Sequence, residues 1–108
     1  MVKDETTMKS FQIISTAGEA TSCFLKAIEY ARNGNYDEAD NKLSEGNGMM
    51  NEAHKYHTEL LTKESGGGNY DFSVILVHAM DHLMNAVLLK ELAQEFINLY
   101  RKTGGEND

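Results

Sequence analysis

The chain has 108 residues, the length of a single domain, and 17 acidic against 10 basic residues give it a formal net charge of −7. This balance argues against a nucleic-acid or anionic-membrane partner, because such partners need clustered lysines and arginines. The single cysteine, Cys23, excludes an internal disulfide and is expected to be inert. With no signal-like start and no uncharged apolar span, we expect one cytoplasmic domain over residues 1–108.

Three helices are predicted, because the sequence contains no proline and its strong helix formers recur three and four residues apart. Glycine-containing breaks at 33–35 and 65–69 divide the chain into segments of about 5–32, 36–64 and 71–102. The expected fold is therefore all-α, a three-helix antiparallel bundle.

The first two segments each carry one predicted apolar stripe. In the first, the stripe consists of Met8, Phe11, Ile14, Ala17, Thr21, Phe24, Leu25, Ile28 and Ala31. In the second, it consists of Tyr36, Ala39, Leu43, Met50, Ala53, Leu60 and Leu61. Gly46 and Gly48 weaken the middle of the second helix, which indicates either a close helix crossing or a local bend there.

The third segment differs, because it is apolar around its whole circumference from residue 72 to 87. It is expected to begin at Asp71 or Ser73, both of which are good N-cap residues. Two neighbouring helices can cover only one of its sides, so the other side requires a partner from outside the chain. Beyond Lys90 the pattern predicts an ordinary helix with a solvated back face. Self-association through the third helix is the simplest explanation.

The uncovered side has the alternating four- and three-residue spacing of helices that pack in parallel about a common axis. Its members are Val74, His78, Asp81, Asn85, Leu88 and Leu92. In a symmetric assembly the Asp81 carboxylates of all subunits would converge, so they would need shared protons or a cation. Carboxylate oxygens suit a hard divalent ion such as Mg²⁺.

Four histidines are candidates for chemistry. His78 and His82 lie one helical turn apart, and with Asp81 nearby they could bind a transition metal or serve as structural hydrogen-bonding residues. A neutral imidazole can also accept a phosphoryl group and release it again. His54 and His57 on the second helix are more simply explained by packing or surface positions than by metal ligation.

The third helix resembles that of a known family. Val77-His78-Ala79-Met80-Asp81-His82-Leu83-Met84 is similar to the signature Val-His-Ala-Gln-Asp-His-Leu-Met of the IIA components of the lactose/cellobiose/chitobiose class in the bacterial phosphoenolpyruvate-dependent sugar phosphotransferase system. The resemblance continues through Leu88-Leu89-Lys90-Glu91-Leu92, Ala53-His54 with Thr58, and Ala39-Asp40. It covers essentially the whole chain.

This resemblance implies a homotrimer with parallel third helices at its axis. It implies that His78 accepts a phosphoryl group from phospho-HPr and passes it to a cysteine of the IIB component, and thus acts indirectly with the membrane IIC component, during uptake of a β-linked disaccharide. The protein would be a phosphotransferase component and not a stand-alone turnover enzyme. Asp81 from three subunits would surround one metal ion, Mg²⁺ being expected. His82 matches the motif, but no catalytic role is carried over for it.

Two positions depart from the family pattern. Met80 stands where glutamine is usual, and His57 stands where the second helix commonly has glutamine. Loss of the amide beside His78 removes a hydrogen-bond donor, so a different rate or partner preference is expected. Two alternative functions stay open, namely a non-catalytic helical interaction module and a small His/Asp metal-binding protein. Lactose, cellobiose and chitobiose also stay open as the sugar.

Overall fold

The structure of the protein, a computed structural model, describes residues 2–65 and 73–104. It contains three α-helices, α1 (Val2–Arg32), α2 (Tyr36–Ser65) and α3 (Val74–Thr103), and the described residues include no strand. The prediction of an all-α fold with three helices is therefore confirmed. No helix in the described part of the chain is long and apolar enough to cross a membrane.

Ion pairs at the two ends of the bundle define how the helices run. Lys63 near the end of α2 pairs with Glu5 near the start of α1, with Nζ and Oε2 2.8 Å apart. Arg101 near the end of α3 pairs with Asp40 near the start of α2, with Nη2 and Oδ2 2.6 Å apart. Consecutive helices are therefore antiparallel, as expected, and α1 contacts both α2 and α3 more extensively than these two contact each other.

The helix ends follow the local sequence. Gly34 adopts a φ of 84°, a conformation that glycine allows, and its N–H donates to the Ala31 carbonyl at 3.0 Å. At the start of α3, the Ser73 hydroxyl accepts a hydrogen bond from the Leu76 N–H at 3.2 Å, so Ser73 is the N-cap. The other candidate, Asp71, lies outside the described residues. The first helix begins three residues earlier than predicted, and the second ends one residue later.

The buried stripe of α1 agrees with the predicted one only in part, at Ala17, Phe24 and Ala31. It alternates four- and three-residue steps through Thr6, Ser10, Ile13, Ala17, Ala20, Phe24, Ala27 and Ala31. Met8, Phe11 and Leu25 were expected in the stripe, but they are 62%, 55% and 55% exposed. Small side chains occupy the contact face because α1 packs closely against two helices at once, which leaves several of its larger apolar residues outside.

The packing side of α2 is as predicted for Ala39, Leu43, Met50, Ala53 and Leu60, all of which are buried. Leu61 was also expected there, but it lies one residue beyond buried Leu60 and is 43% exposed. Gly46 marks a close helix crossing: a Cβ at this position would lie 2.6 Å from Cε1 of Phe24 on α1. A Cβ at Gly48 would have no neighbour within 4 Å, so the close approach is confined to Gly46.

Candidate functional site

Helix α3 has one buried and one exposed apolar face. The buried face consists of Leu76, Ala79, Leu83, Ala86, Ala93 and Ile97. The opposite side, which we call the outer face of α3, exposes between 42% and 86% of Val74, Val77, Met84, Leu88, Leu92, Phe96 and Leu99. An uncovered apolar side was predicted. After Lys90 the predicted solvated residues are present, since Glu91, Gln94 and Asn98 are exposed, but Leu92, Phe96 and Leu99 also continue the apolar outer face to the last turn, which was not predicted.

The polar residues of the motif lie on the outer face. His78, Asp81 and Asn85 are exposed in the single chain, whereas Ala79 and Leu83 of the same motif are fully buried. Met80 is half-buried and packs against the hydrophobic core. The buried residues fix the rotation of the helix, and this fixed rotation directs the polar residues away from the bundle.

His78 and His82 are in direct contact. Their Nε2 atoms are 3.2 Å apart, their ring centroids are 4.6 Å apart, and the ring planes are nearly perpendicular at 88°. The spacing of one helical turn predicted their proximity. Which ring atoms face each other could not be predicted, since that depends on the side-chain rotamers. Because a neutral imidazole has one N–H and one acceptor nitrogen, one ring donates to the other.

Asp81 is exposed, and no hydrogen bond or ion pair engages its carboxylate within the described part of the chain. The described residues also contain no group of three histidine, cysteine or acidic side chains placed to hold a metal ion. Asp81 therefore does not complete a three-ligand site with His78 and His82 in one chain. A single carboxylate suits a hard cation by its chemistry, but such ions take six or more oxygen ligands. Further ligands would have to come from other copies of the chain or from water.

The two histidines of α2 are half-buried. Burial lowers the pKa of His57, and the neighbouring positive charge of His54 lowers it further. His57 is therefore neutral near pH 7. Within the described residues, no hydrogen bond joins either of these histidines to α3.

Cys23 lies beside the α1–α2 crossing and is buried, with its Sγ 3.5 Å from Oε2 of Glu45. Burial raises the pKa of the Cys23 thiol, and the negative charge of Glu45 raises it further. The thiol is thus protonated at neutral pH and is a poor nucleophile. Among the described groups, the pair of imidazoles on α3, of which His78 is exposed, is the better candidate for covalent chemistry.

Comparison with known proteins identifies relatives of one family, and the matches cover most of the chain. Residues 8–101 match the model of the family described as PTS system, Lactose/Cellobiose specific IIA subunit. The lactose-specific EIIA component of Staphylococcus aureus (strain N315) is 38% identical over 102 residues, which cover 94% of this chain and 99% of the relative.

Solved structures agree in fold. The PTS cellobiose-specific enzyme IIA from Bacillus anthracis superposes with a TM-score of 0.89 at 43% identity, covering 91% of this chain and 90% of the other. The IIA(chitobiose) in complex with HPr, from the N,N'-diacetylchitobiose branch of the Escherichia coli phosphotransferase system, superposes with a TM-score of 0.80 at 31% identity. It covers 92% of this chain and 96% of the other.

Proposed function

The chain belongs to the lactose/cellobiose-specific IIA family of the bacterial sugar phosphotransferase system, and we propose that His78 is the residue on which it carries the phosphoryl group. As a member of this family it is a phosphocarrier, a component of a phosphotransferase system. The observation that carries the assignment to His78 is its exposed imidazole on a part of α3 that fully buried Ala79 and Leu83 anchor to the bundle.

Exposure and rigidity suit His78 to transfer between proteins. A neutral imidazole nitrogen is nucleophilic near pH 7, and phosphoryl transfer depends mainly on in-line positioning and on stabilisation of charge. Ala79 and Leu83, both fully buried, anchor the turn that carries His78. The ring can therefore meet a partner protein without movement of the helix.

The donor we propose is phospho-HPr, and the acceptor is a cysteine of the IIB component, which serves the membrane IIC component in turn. HPr is supported by the related IIA(chitobiose), whose structure is that of a complex with HPr. The proposed setting is the cytoplasm, and the transported sugar is a β-linked disaccharide. Because the relatives are named for lactose, cellobiose and N,N'-diacetylchitobiose, several sugars are compatible with the fold.

The corresponding experiment is phosphorylation by the purified system. Incubation with phosphoenolpyruvate, enzyme I and HPr should add one acid-labile phosphoryl group per chain, and His78→Ala should abolish the addition. A failure of the wild-type chain to accept phosphate would contradict the assignment. That result would favour the alternative of a non-catalytic helical interaction module, in which the polar residues on the outer face of α3 only fix the register of the associating helices.

We further propose that three copies assemble with parallel α3 helices, each contributing its outer face. Exposed leucines on this face support the proposal, because a run of apolar residues along a whole helix is covered in most soluble proteins. Leu88 at 58% exposure can be compared with Leu25 on α1 at 55% exposure. Leu88→Lys should yield monomers in sedimentation velocity, whereas Leu25→Lys should remain trimeric. Equal behaviour of the two variants would argue against this interface.

At the axis of such a trimer, we propose one divalent cation, Mg²⁺, held by the three Asp81 carboxylates. The support is that Asp81 is exposed on the outer face and has no partner within the described residues. The ion would neutralise converging negative charge and thereby stabilise the assembly. Asp81→Leu should eliminate bound metal, measured by elemental analysis, while some trimer remains. Unchanged metal content would refute the site, and strong Zn²⁺ binding that requires His78 and His82 would support the alternative metal-binding protein.

A further inference from the structure

We propose that His78 and His82 form a chelating site for a divalent transition-metal ion, Zn²⁺, and that the bound ion reversibly blocks phosphorylation of the chain. The two Nε2 atoms are the protein ligands, and water fills the remaining positions. The metal site follows from the geometry of the two rings alone. The blocking effect rests on the proposed role of His78 and deepens it with a mode of regulation.

The separation of the two nitrogens matches that of two ligands on one tetrahedral zinc ion. Zinc–nitrogen bonds of about 2.0–2.1 Å at a tetrahedral angle place two ligating nitrogens about 3.3–3.4 Å apart. The Nε2 atoms of His78 and His82 are 3.2 Å apart, and their ring centroids are 4.6 Å apart. The lone pair of each nitrogen lies in the plane of its ring, so small ring rotations direct both lone pairs at one ion. The side chains therefore need little rearrangement to bind the metal.

Helix α3 holds this pair of histidines in place and leaves it open to solvent. Fully buried Ala79 and Leu83 anchor this part of the helix to the bundle. His78 is exposed, so an ion can reach the site without opening of the fold. By contrast, His54 and His57 on α2 are both half-buried, and no hydrogen bond joins their rings within the described part of the chain. This second pair of histidines provides a natural control.

The chemistry of the site selects a transition metal over Mg²⁺. Imidazole nitrogen suits Zn²⁺, whereas Mg²⁺ prefers oxygen ligands. No third histidine, cysteine or acidic side chain completes a metal-binding group within the described residues. Because two protein ligands are half of those in a closed structural zinc site, we expect a Kd on the order of 10 µM. This affinity is far weaker than that of a dedicated metal-binding protein, so the site fills and empties with the metal concentration.

Binding of the ion removes the nucleophile. In the neutral pair, one Nε2 carries a proton and the other accepts a hydrogen bond from it. When Zn²⁺ takes both Nε2 lone pairs, that proton moves to Nδ1 of the same ring, so both rings stay neutral and no proton is released. His78 then holds the metal on one nitrogen and a hydrogen on the other, which leaves no lone pair to form a bond to phosphorus. By linkage, phosphorylation of His78 weakens Zn²⁺ binding in return.

Zinc binding is measured first, with Zn²⁺ alone as the probe. Equilibrium dialysis in excess Mg²⁺ should show one Zn²⁺ per chain, and His82→Ala should weaken binding roughly tenfold or more, since it removes one of two ligands. His54→Ala is the matched control and should bind as wild type does. In nitrogen-15 NMR, Zn²⁺ should shift the ring nitrogens of His78 and His82 and leave those of His57 unchanged. Absence of binding at roughly ten times the expected Kd, or equal losses in His54→Ala and His82→Ala, would overturn the site.

The blocking effect is measured with phospho-HPr that has been separated from enzyme I, so that an effect of Zn²⁺ on enzyme I plays no part. At free Zn²⁺ of roughly ten times the measured Kd, the rate of phosphorylation of wild type should fall about tenfold, and a chelator should restore it. His82→Ala, compared with itself with and without Zn²⁺, should lose no more than about half of its rate, because its site is mostly empty.

Two results would overturn the blocking effect. One is a wild-type rate that does not change when Zn²⁺ is bound, and the other is equal sensitivity to Zn²⁺ in wild type and His82→Ala, which would place the effect on HPr. A wild-type chain that binds Zn²⁺ through His78 and His82 but accepts no phosphate in its absence would instead refute the proposed function and leave the metal site supported.

Discussion

A substitution of Gly46 tests the close crossing of α1 and α2. In Gly46→Ala, the new Cβ would lie 2.6 Å and 2.8 Å from two ring atoms of Phe24 and 3.0 Å from Cβ of Cys23. Phe24 has no exposed surface, so its ring cannot swing into solvent. The helices must separate or the ring must leave its rotamer, and either adjustment disturbs the core around it.

The size of the effect follows from two opposing contributions. Overpacking of a close-packed core costs about 1–3 kcal/mol. Replacing a helical glycine by alanine stabilises the helix by about 1 kcal/mol. Since the contacts of the new methyl group are with a fully buried ring, we expect the upper half of the overpacking range. The net loss for Gly46→Ala is then about 1–2 kcal/mol.

Gly48→Ala is the matched control, because Gly48 lies two residues away on the same helix and has no neighbour within 4 Å of the added Cβ. It should gain the helix preference alone and be stabilised by up to about 1 kcal/mol. Urea unfolding of wild type and both variants at one protein concentration separates the contributions. A Gly46→Ala protein as stable as Gly48→Ala would refute the close crossing.

Three further predictions concern stability and reactivity. The folded state lowers the pKa of His57, so the unfolded chain binds a proton at this residue more readily, and the free energy of unfolding decreases as pH falls below about 6.5. His57→Gln should therefore lose less stability than wild type between about pH 7 and 5 in urea unfolding. Cys23, whose pKa is raised mainly by burial, should react slowly with iodoacetamide at pH 8 and rapidly in urea. Arg101→Ala removes the Asp40 ion pair and the contact of its guanidinium with the Tyr36 ring, and should cost about 0.5–1.5 kcal/mol in urea unfolding. The first prediction would be contradicted if the stability of His57→Gln and of wild type changed equally with pH. Equal alkylation rates of Cys23 with and without urea would contradict the second, and an Arg101→Ala variant as stable as wild type would contradict the third.

The fold was largely predictable because the signals that define it are local. The absence of proline permits long helices throughout, and Gly34 and Ser73 are residue types that mark the end of one helix and the start of another within a few residues. The buried stripe of α1 was harder to predict. Phe11 and Leu25 were expected to be buried because of their large apolar side chains, but the fold buries Ala20 and Ala27 instead. The close approach of two neighbouring helices requires small side chains, and this approach depends on tertiary packing.

The candidate site was predictable in part for a similar reason. A fixed helical period placed His78 and Asp81 on one side of α3, and the structure leaves both exposed there. The direct contact of the His78 and His82 nitrogens depends on rotamers, which the period does not determine. The three- and four-residue spacing of the sequence places Phe96 and Leu99 in line with the outer face, but the charged residues interspersed after Lys90 obscured this pattern.

Identification of the phosphorylated residue tests the central claim most directly. The wild-type protein is phosphorylated by phospho-HPr, digested under alkaline conditions that preserve phosphohistidine, and sequenced by tandem mass spectrometry. His78 and His82 lie on the same stretch of α3, so fragment ions between them distinguish the two sites. We expect the phosphoryl group on His78 alone. Its presence on His82, or on any residue outside α3, would contradict the account.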